Sequence, residues 1–310
     1  MHTFTSVAAI PAEFGPSAVT IGKFDGVHAG HRAVLRRLLE IAGERGLSSA
    51  VVTFDRNPLS LLAPEKCPVP LLSNSQKLEL LASIGVDATL MLEFDRALSA
   101  LSPEQFAESI LVGGLRATVV LIGADFRFGA KGAGDAETLR ELGQRFGFEV
   151  LVVGDVAPNG QRRASSTWIR EMLSEGRVVE AAELLGGAPT IRSVVVPGEQ
   201  RGRQLGYPTA NLSPQIEGYI PADGVYAARL TVDGTTYPAA VSIGNNPTFE
   251  GVPDKQVEAH VIDETLDLYG KTVELAFVEY IRGMRKFPDA ASLAEQMGLD
   301  ERWIRDILGV

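Results

Sequence analysis

The sequence predicts an α/β domain with a parallel, Rossmann-like sheet, followed by a small antiparallel β-barrel. In the first half, apolar segments that favour strands alternate with helical patterns at intervals of roughly 25 to 35 residues. In the second half, shorter segments with period-two alternation are separated by glycine and proline, as is typical of a small barrel. A chain of 310 residues also exceeds what one hydrophobic core usually supports. We expect the boundary in the glycine-rich stretch 184–189, with domains over residues 1–186 and 187–310.

The composition favours a cytoplasmic protein and does not exclude small anionic substrates. Hydrophobic residues make up 45% and charged residues 22%, as in ordinary soluble globular proteins. The net charge of −10 disfavours nucleic acids and anionic membranes as partners, and nothing in it indicates an oligomeric state. A lone cysteine, Cys67, fits a reducing compartment, and the N-terminus lacks the pattern of a signal peptide.

The first element is a strand, turn and helix over residues 19–39. An apolar run ends at Ile21, Gly22 and Gly26 loosen the backbone, and apolar positions recur at helical spacing from about residue 29. The free N–H groups and positive dipole of a helix start favour an anion, usually a phosphate. His28 and His31 lie at this start, three positions apart, so both imidazoles can face one phosphate.

The rest of the first half continues the alternation. The predicted strands are 48–54, 88–92, 117–122 and 149–153, and the predicted helices are 75–83, 102–111 and 137–146. In the loop after the strand 48–54, Asn57 is either a ligand contact or a turn residue before proline. The loop after the strand 117–122 contains Asp125, Phe126 and Phe128, and an aromatic ring there either faces a ligand or packs in the core.

The segment 164–170, ASSTWIR, opens a further helix. Ser165, Ser166 and Thr167 can cap that helix, which is their ordinary structural role. The same hydroxyls and free N–H groups, with Arg170 one turn later, also suit the β- and γ-phosphates of ATP.

The second half shows five further strands and a final helix. The predicted strands are 190–197, 224–232, 236–243, 257–262 and 272–281, and the helix spans 290–308 and covers one face. The segment 198–212, GEQRGRQLGYPTANL, is the richest motif of this half. Its glycines allow close backbone approach, Arg201 and Arg203 bring positive charge, and Pro208 fixes the backbone before Thr209.

The first half resembles the HxGH nucleotidyltransferases in their flavin-adenylylating variant. The match consists of Gly22, Phe24, Asp25, Gly26, Val27, His28, Gly30 and His31, together with the SSTxIR and GADFRFG strings. The resemblance implies that His28, His31 and Arg170 act in catalysis. It also implies ATP and flavin contacts at Gly22, Phe24, Asp25, Gly30, Asn57, Asp125, Phe126, Ser165, Ser166 and Thr167. Many relatives have histidine where this chain has Asn57, so that contact departs from the family pattern.

The second half resembles riboflavin kinase through the segment 198–212 and the strings 223–227, 244–249 and 257–260. The resemblance implies that Thr209 and Asn211 hold Mg²⁺ with ATP, since their oxygens suit a hard cation. It implies ATP or flavin contacts at Gly198, Arg201, Gly202, Arg203, Gly206, Pro208 and Tyr226. Glu258 matches the family's base, and Val257 and Ala259 are expected to face the other side of the strand.

Together the motifs resemble the bifunctional riboflavin kinase/FMN adenylyltransferases over nearly the whole chain. The implied reactions convert riboflavin to FMN and then FMN to FAD, each with ATP. Another nucleotidyltransferase, acting on nicotinamide or pantetheine phosphates, is disfavoured by the PTAN segment of the second half. A flavin or nucleotide sensor without turnover is disfavoured by the intact histidine pair and by Glu258.

Overall fold

The computed structural model describes all of the chain except residues 155–156, 158–161, 199–205 and 245–254. The chain divides into two compact units, Met1–Ser166 and Thr167–Val310. This division precedes the predicted boundary after residue 186, and helices over Ser166–Ser174 and Val178–Leu185 lie between the two positions.

The first unit is built on a six-stranded parallel sheet. Its strands are β1 (His2–Phe4), β2 (Ser17–Ile21), β3 (Ser48–Phe54), β4 (Ala88–Leu92), β5 (Ala117–Gly123) and β6 (Glu149–Val153). Their order across the sheet is β1-β4-β3-β2-β5-β6, and every neighbouring pair is parallel. The Rossmann-like prediction is therefore confirmed. The three-residue edge strand β1 was not predicted from the sequence.

Helices cover both faces of this sheet. They are α1 (Ala29–Arg45), α2 (Leu59–Leu62), α3 (Asn74–Ile84), α4 (Arg96–Ala100), α5 (Pro103–Phe106) and α6 (Ala136–Phe146). On one face, α1 and α3 bury Leu35, Leu38 and Leu81 against the strands. On the other face, α5 and α6 bury Phe106 and Leu139. A sheet covered on both sides explains why its central strands are mostly apolar.

The predicted helix 102–111 differs from the structure in length and in winding. It begins with a capping box between Ser102 and Gln105, as a serine three residues before glutamine favours. After Phe106 it widens into a π-helix over Ala107–Gly114. The apolar spacing that predicts a helix does not distinguish these two windings.

The second unit begins within α7 (Ser166–Ser174), at its second residue, and continues through α8 (Val178–Leu185) into a closed barrel. The barrel strands are β7 (Thr190–Val196), β8 (Ala210–Leu212), β9 (Gly224–Val232), β10 (Thr235–Gly244), β11 (Gln256–Val261) and β12 (Thr272–Arg282). Their order is β10-β11-β8-β7-β12-β9, with every neighbouring pair antiparallel. The barrel prediction is confirmed, and β8 is a short strand inside the segment 198–212.

The C-terminal helix α9 (Ala290–Leu308) covers one side of the barrel. Ile304 and Leu308 are buried against Ala227 of β9. Arg282 at the end of β12 binds the carboxylate of Asp300 through three hydrogen bonds of 2.7–3.0 Å. Asp300 is only 5% exposed, so this pair fixes the helix to the barrel. Among the described residues, no helix is both long and apolar enough to cross a membrane.

Candidate active sites

The turn between β2 and α1 has an unusual backbone. Phe24 has φ +49°, Gly26 +85° and Val27 +41°. A positive φ is uncommon outside glycine and especially unfavourable for a β-branched residue. Phe24 and Val27 are 2% and 0% exposed, so core packing holds them in this conformation. The strained turn follows a central strand of the sheet, on the side where open α/β sheets bind ligands.

Asp25 ties this turn to two other segments of the first unit. Its carboxylate accepts a hydrogen bond from the Leu71 backbone N–H at 2.8 Å. Its carbonyl oxygen accepts one from the Ser166 hydroxyl, also at 2.8 Å. The structure therefore brings Ser166 of the SST string to the histidine-bearing turn, although the two are 141 positions apart in sequence.

The rings of His28 and His31 form a stacked pair. Their centroids are 3.9 Å apart with an interplanar angle of 23°, and the Phe24 ring lies 5.0 Å from His31. A Cβ on Gly30 would come within 3.2 Å of the His28 ring, so glycine leaves room for the stack. In the described part of the chain, Nδ1 of each histidine is buried without a hydrogen-bond partner. Buried polar atoms are normally paired, so this arrangement suits a ligand that supplies the partners.

Both histidines are neutral at pH 7. Burial, together with the nearby positive charge of Arg163, lowers the pKa of His28 to about 4. Burial also lowers the pKa of His31, and the neighbouring positive charges of Arg163 and Lys77 lower it further. Cations that depress the pKa of an imidazole in this way also provide a favourable environment for phosphate.

Two of these cations, Arg163 and Lys77, were missed by the sequence analysis. Arg163 forms a two-point ion pair with Asp125, with both N–O distances 2.9 Å, and this pairing lowers the pKa of Asp125. Lys77 is 7% exposed and donates to the Phe54 carbonyl at the end of β3 at 2.8 Å. Its pKa is lowered by burial. Arg163 directly precedes the ASST string, whereas Lys77 lies within an apolar helical pattern that gives no sign of it.

Asn57 and Phe126 each make a structural contact within the first unit. The side-chain oxygen of Asn57 accepts the Leu59 N–H at 3.1 Å, as a turn residue does. Phe126 is partly buried against the core and stacks on Phe128, with centroids 5.4 Å apart. Phe128 itself is 6% exposed and belongs to the core.

The remaining residues of the SST string lie at the start of α7 or directly before it. Ser166 is the first residue of this helix, Ser165 directly precedes it, and Thr167 is the second residue. Arg170 follows Ser166 by one helical turn and is partly buried. The predicted order of hydroxyls at the helix start and arginine one turn later is thus present.

In the barrel, the PTAN residues meet Glu258 across two adjacent strands. The Thr209 hydroxyl donates to the Glu258 carboxylate at 3.2 Å. Asn211 of β8 is paired directly opposite Glu258 of β11. Val257 and Ala259 are buried on the other face of β11, as predicted. Three oxygen-bearing side chains are therefore gathered at one place on the barrel wall.

The structure describes some of the other predicted kinase residues and not others. A Cβ on Gly198 would overlap the side chain of Asn211, so glycine is required for this approach. Gly206 has φ +83°, a conformation that favours glycine. Tyr226 is fully buried and its hydroxyl donates to the Ala222 carbonyl, so it shapes the barrel from within. Arg201, Gly202, Arg203 and residues 245–249 lie outside the described residues.

Two family models match the chain, one in each half. The model described as FAD synthetase matches residues 10–168, and the model described as riboflavin kinase matches residues 185–308.

Full-length relatives match over both halves. A bifunctional riboflavin kinase/FMN adenylyltransferase of Escherichia coli strain K12 is 37% identical over 293 residues, covering 94% of this chain and 93% of the relative. The protein of the same name from Listeria monocytogenes is 36% identical, covering 92% and 90%. A crystal structure described as a macrolide-efflux protein from Streptococcus pneumoniae is 32% identical, with a TM-score of 0.89 and 98% of each chain covered. That likeness establishes a shared fold.

Proposed function

Because the chain belongs to the family of bifunctional riboflavin kinase/FMN adenylyltransferases, we propose which of its residues carry each of the two reactions. The enzyme phosphorylates riboflavin to FMN and adenylylates FMN to FAD, using ATP in both steps. The matched ranges support the proposal that the first half carries adenylylation and the second half phosphorylation.

For adenylylation, we assign the central role to His28 and His31. An oxygen of the FMN phosphate bonds to the α-phosphorus of ATP, and the bond from that phosphorus to the bridging oxygen breaks, releasing pyrophosphate. The attacking phosphate is already ionised at pH 7, so no protein base is needed. The two histidines hold and stabilise the phosphates, and phosphate binding raises their pKa towards the charged form. The observation that carries this assignment is the buried stack with unpartnered Nδ1 atoms at a helix start.

Other residues of the first half align the substrates in this proposal. The turn residues Gly22, Phe24, Asp25 and Gly30 set the backbone around the phosphates. Asn57, Asp125 and Phe126 border the nucleotide and flavin. Ser165, Ser166 and Thr167 bind the β- and γ-phosphates, and Arg170 stabilises the departing pyrophosphate.

For phosphorylation, we assign Glu258 as the base. The riboflavin hydroxyl has a high pKa and must lose its proton as its oxygen bonds to the γ-phosphorus and ADP leaves. Glu258 already accepts a hydrogen bond from Thr209, which demonstrates that its carboxylate is directed at the PTAN segment. Gly198, Arg201, Gly202, Arg203, Gly206 and Pro208 complete the ATP and flavin contacts, with Tyr226 supporting them from the core.

The oxygen atoms of Thr209 and Asn211 fit Mg²⁺. This cation prefers oxygen ligands and usually takes one or two from the protein, with water and substrate phosphates for the rest. When bound, Mg²⁺ neutralises phosphate charge in phosphoryl transfer. The hydrogen bond of Thr209 to Glu258 and the cross-strand pair of Asn211 with Glu258 place both residues beside the same carboxylate.

We propose that the two activities separate after residue 186. Helix α8 packs on β12, and the Ala222 N–H of the barrel unit donates to the Leu173 carbonyl at the end of α7. A fragment over 187–310 should therefore phosphorylate riboflavin but melt at a lower temperature than one over 167–310. A folded fragment of either length that makes no FMN would contradict the assignment.

We further propose a cytoplasmic enzyme whose partners are flavins and nucleotides, not nucleic acids. The acidic net charge of −10 and the lone Cys67 support this.

The decisive experiment separates the two steps on one preparation. The full chain is incubated with ATP and Mg²⁺ and with either riboflavin or FMN, and the flavins are resolved by chromatography. We expect FMN and FAD from riboflavin, and FAD from FMN. If riboflavin gives no FMN, or FMN gives no FAD, the activity proposed for the corresponding half of the chain is overturned.

A further inference from the structure

His260 contacts the PTAN segment although neither the ATP contacts nor the base requires it. Its Nδ1 lies 2.8 Å from the carbonyl oxygen of Pro208, the residue before Thr209. A carbonyl oxygen only accepts hydrogen bonds, so the hydrogen must be on Nδ1. The imidazole therefore holds the backbone at the position that precedes the candidate metal ligand.

The alternation of β11 places His260 and Glu258 on the same face. Val257, Ala259 and Val261 are buried on the opposite face. One strand thus contacts the PTAN segment at two successive residues, with His260 at the Pro208 carbonyl and Glu258 at the Thr209 hydroxyl. Two fixed points on adjacent residues restrict the direction of the Thr209 side chain.

Tyr207, which is itself held by helix α9, restrains the imidazole of His260. The Tyr207 ring meets His260 edge to face, with centroids 5.2 Å apart and an interplanar angle of 69°. The Tyr207 hydroxyl is hydrogen-bonded to the carboxylate of Glu301 in α9. Gly298 of the same helix lies close to that hydroxyl, at 3.4 Å from an added Cβ. The aromatic contact is therefore anchored to α9.

We propose that His260 is a positioning residue of the kinase reaction, whose Nδ1–H holds the Pro208 carbonyl and so orients Thr209 towards the cation and Glu258. This inference rests on the proposed function of Thr209. It assigns His260 no contact with substrate and no proton transfer.

The test compares three variants of the full chain. In His260→Asn the side-chain N–H₂ occupies nearly the place of Nδ1–H, whereas in His260→Gln the donor lies farther out, and His260→Ala has none. We expect kinase kcat/KM to fall by about 10- to 100-fold in the alanine and glutamine variants, the range typical of groups that orient metal ligands. These two variants should also need more Mg²⁺ for half-maximal rate. The asparagine variant should stay within about threefold of the parent.

Adenylylation of FMN, measured on the same preparations, should not change. A parental kinase rate in His260→Ala would overturn the proposal. So would an asparagine variant as impaired as the alanine variant, or an equal loss of both activities.

A double variant separates this inference from the function on which it rests. If His260 acts through Thr209, His260→Ala should cost little more once Thr209→Ala is present. Fully additive losses would refute the positioning role. An unchanged kinase rate in Thr209→Ala would instead refute the assignment of Thr209. A loss in Thr209→Ala without one in His260→Ala would leave that assignment in place and remove His260.

Discussion

The two candidate nucleotide-binding sites of this enzyme are built from different structural elements. The first uses a strained turn of a parallel sheet and a buried pair of neutral imidazoles with unpartnered nitrogen atoms. The second uses two neighbouring antiparallel strands, where a hydroxyl, an amide and a carboxylate already contact or face one another.

The difference follows from the two acceptors. FMN brings a phosphate that is ionised at neutral pH, so its site needs alignment and charge stabilisation but no base. Riboflavin brings an alcohol, so its site needs a carboxylate that accepts a proton. Each of the following variants tests one of the two candidate sites. The activity assigned to the other site serves as the internal reference.

The largest effect is expected from Glu258→Gln. This change keeps size and shape but removes the proton acceptor, so kinase turnover should fall by about 10²- to 10⁴-fold. Substrate affinities should change much less, and FAD formation from FMN should stay parental. Glu279→Gln, an exposed carboxylate on β12, is the matched control. Parental kinase turnover would remove Glu258 from the mechanism, and loss of both activities would indicate a structural role.

Replacement of either histidine of the proposed adenylylation site by alanine should suppress the other reaction. We expect His28→Ala and His31→Ala each to lower FAD formation from FMN by about 10²- to 10³-fold, the effect of losing one preorganised electrostatic contact. FMN formation from riboflavin should be unaffected. His2→Ala, an exposed histidine on β1, serves as the control. Undiminished FAD production by both folded variants would refute the role of the pair.

The same pair should make stability depend on pH. The folded-state pKa of His28 is about 4, below the usual value of 6.5, so below pH 6.5 the unfolded chain binds a proton that the folded chain does not. Stability is therefore lost as pH falls from 6.5 towards 4, by about 2 kcal/mol between pH 7 and 5 for His28 alone. His31, whose pKa is also lowered, adds to this in the same direction.

Urea unfolding at both pH values checks this expectation. The double variant His28→Asn/His31→Asn should lose less stability between pH 7 and 5 than the parent. Equal losses in both proteins would show that the histidines are not buried as neutral groups.

The smallest effect is expected from Gly30→Ala. The added methyl group meets the His28 ring at 3.2 Å and should tilt it, lowering FAD formation by about tenfold while sparing the kinase. Gly43→Ala in the same helix has nothing within 4 Å and should leave both rates unchanged. It should also raise stability by about 0.5–1 kcal/mol, as glycine is unfavourable inside helices. An unchanged adenylylation rate in Gly30→Ala would mean that the stack tolerates displacement.

Apolar patterning predicted most of the fold because it reports directly on burial. The central strands β2, β3 and β5 are covered on both faces, and so they are mostly apolar segments in the sequence. The two strands that were not predicted, β1 and β8, have three residues each, too few to show a period.

The residues of the candidate sites were predicted only in part, and from motifs rather than from apolar patterning. Motifs identify residues such as His28 and Thr209, but not what surrounds them. The pairing of Arg163 with Asp125 joins residues 38 positions apart, and the contact of His260 with Pro208 joins residues 52 apart. Such contacts depend on strand register and loop path, which local periodicity does not encode.

The unpartnered Nδ1 atoms of the histidine pair have a consequence for ligand affinity. A buried polar atom without a partner destabilises the native state by about 1–3 kcal/mol. A ligand whose oxygen atoms engage both nitrogens offsets that cost on binding, and this contributes to its affinity. Saturation with ATP should therefore raise the melting temperature of the first unit.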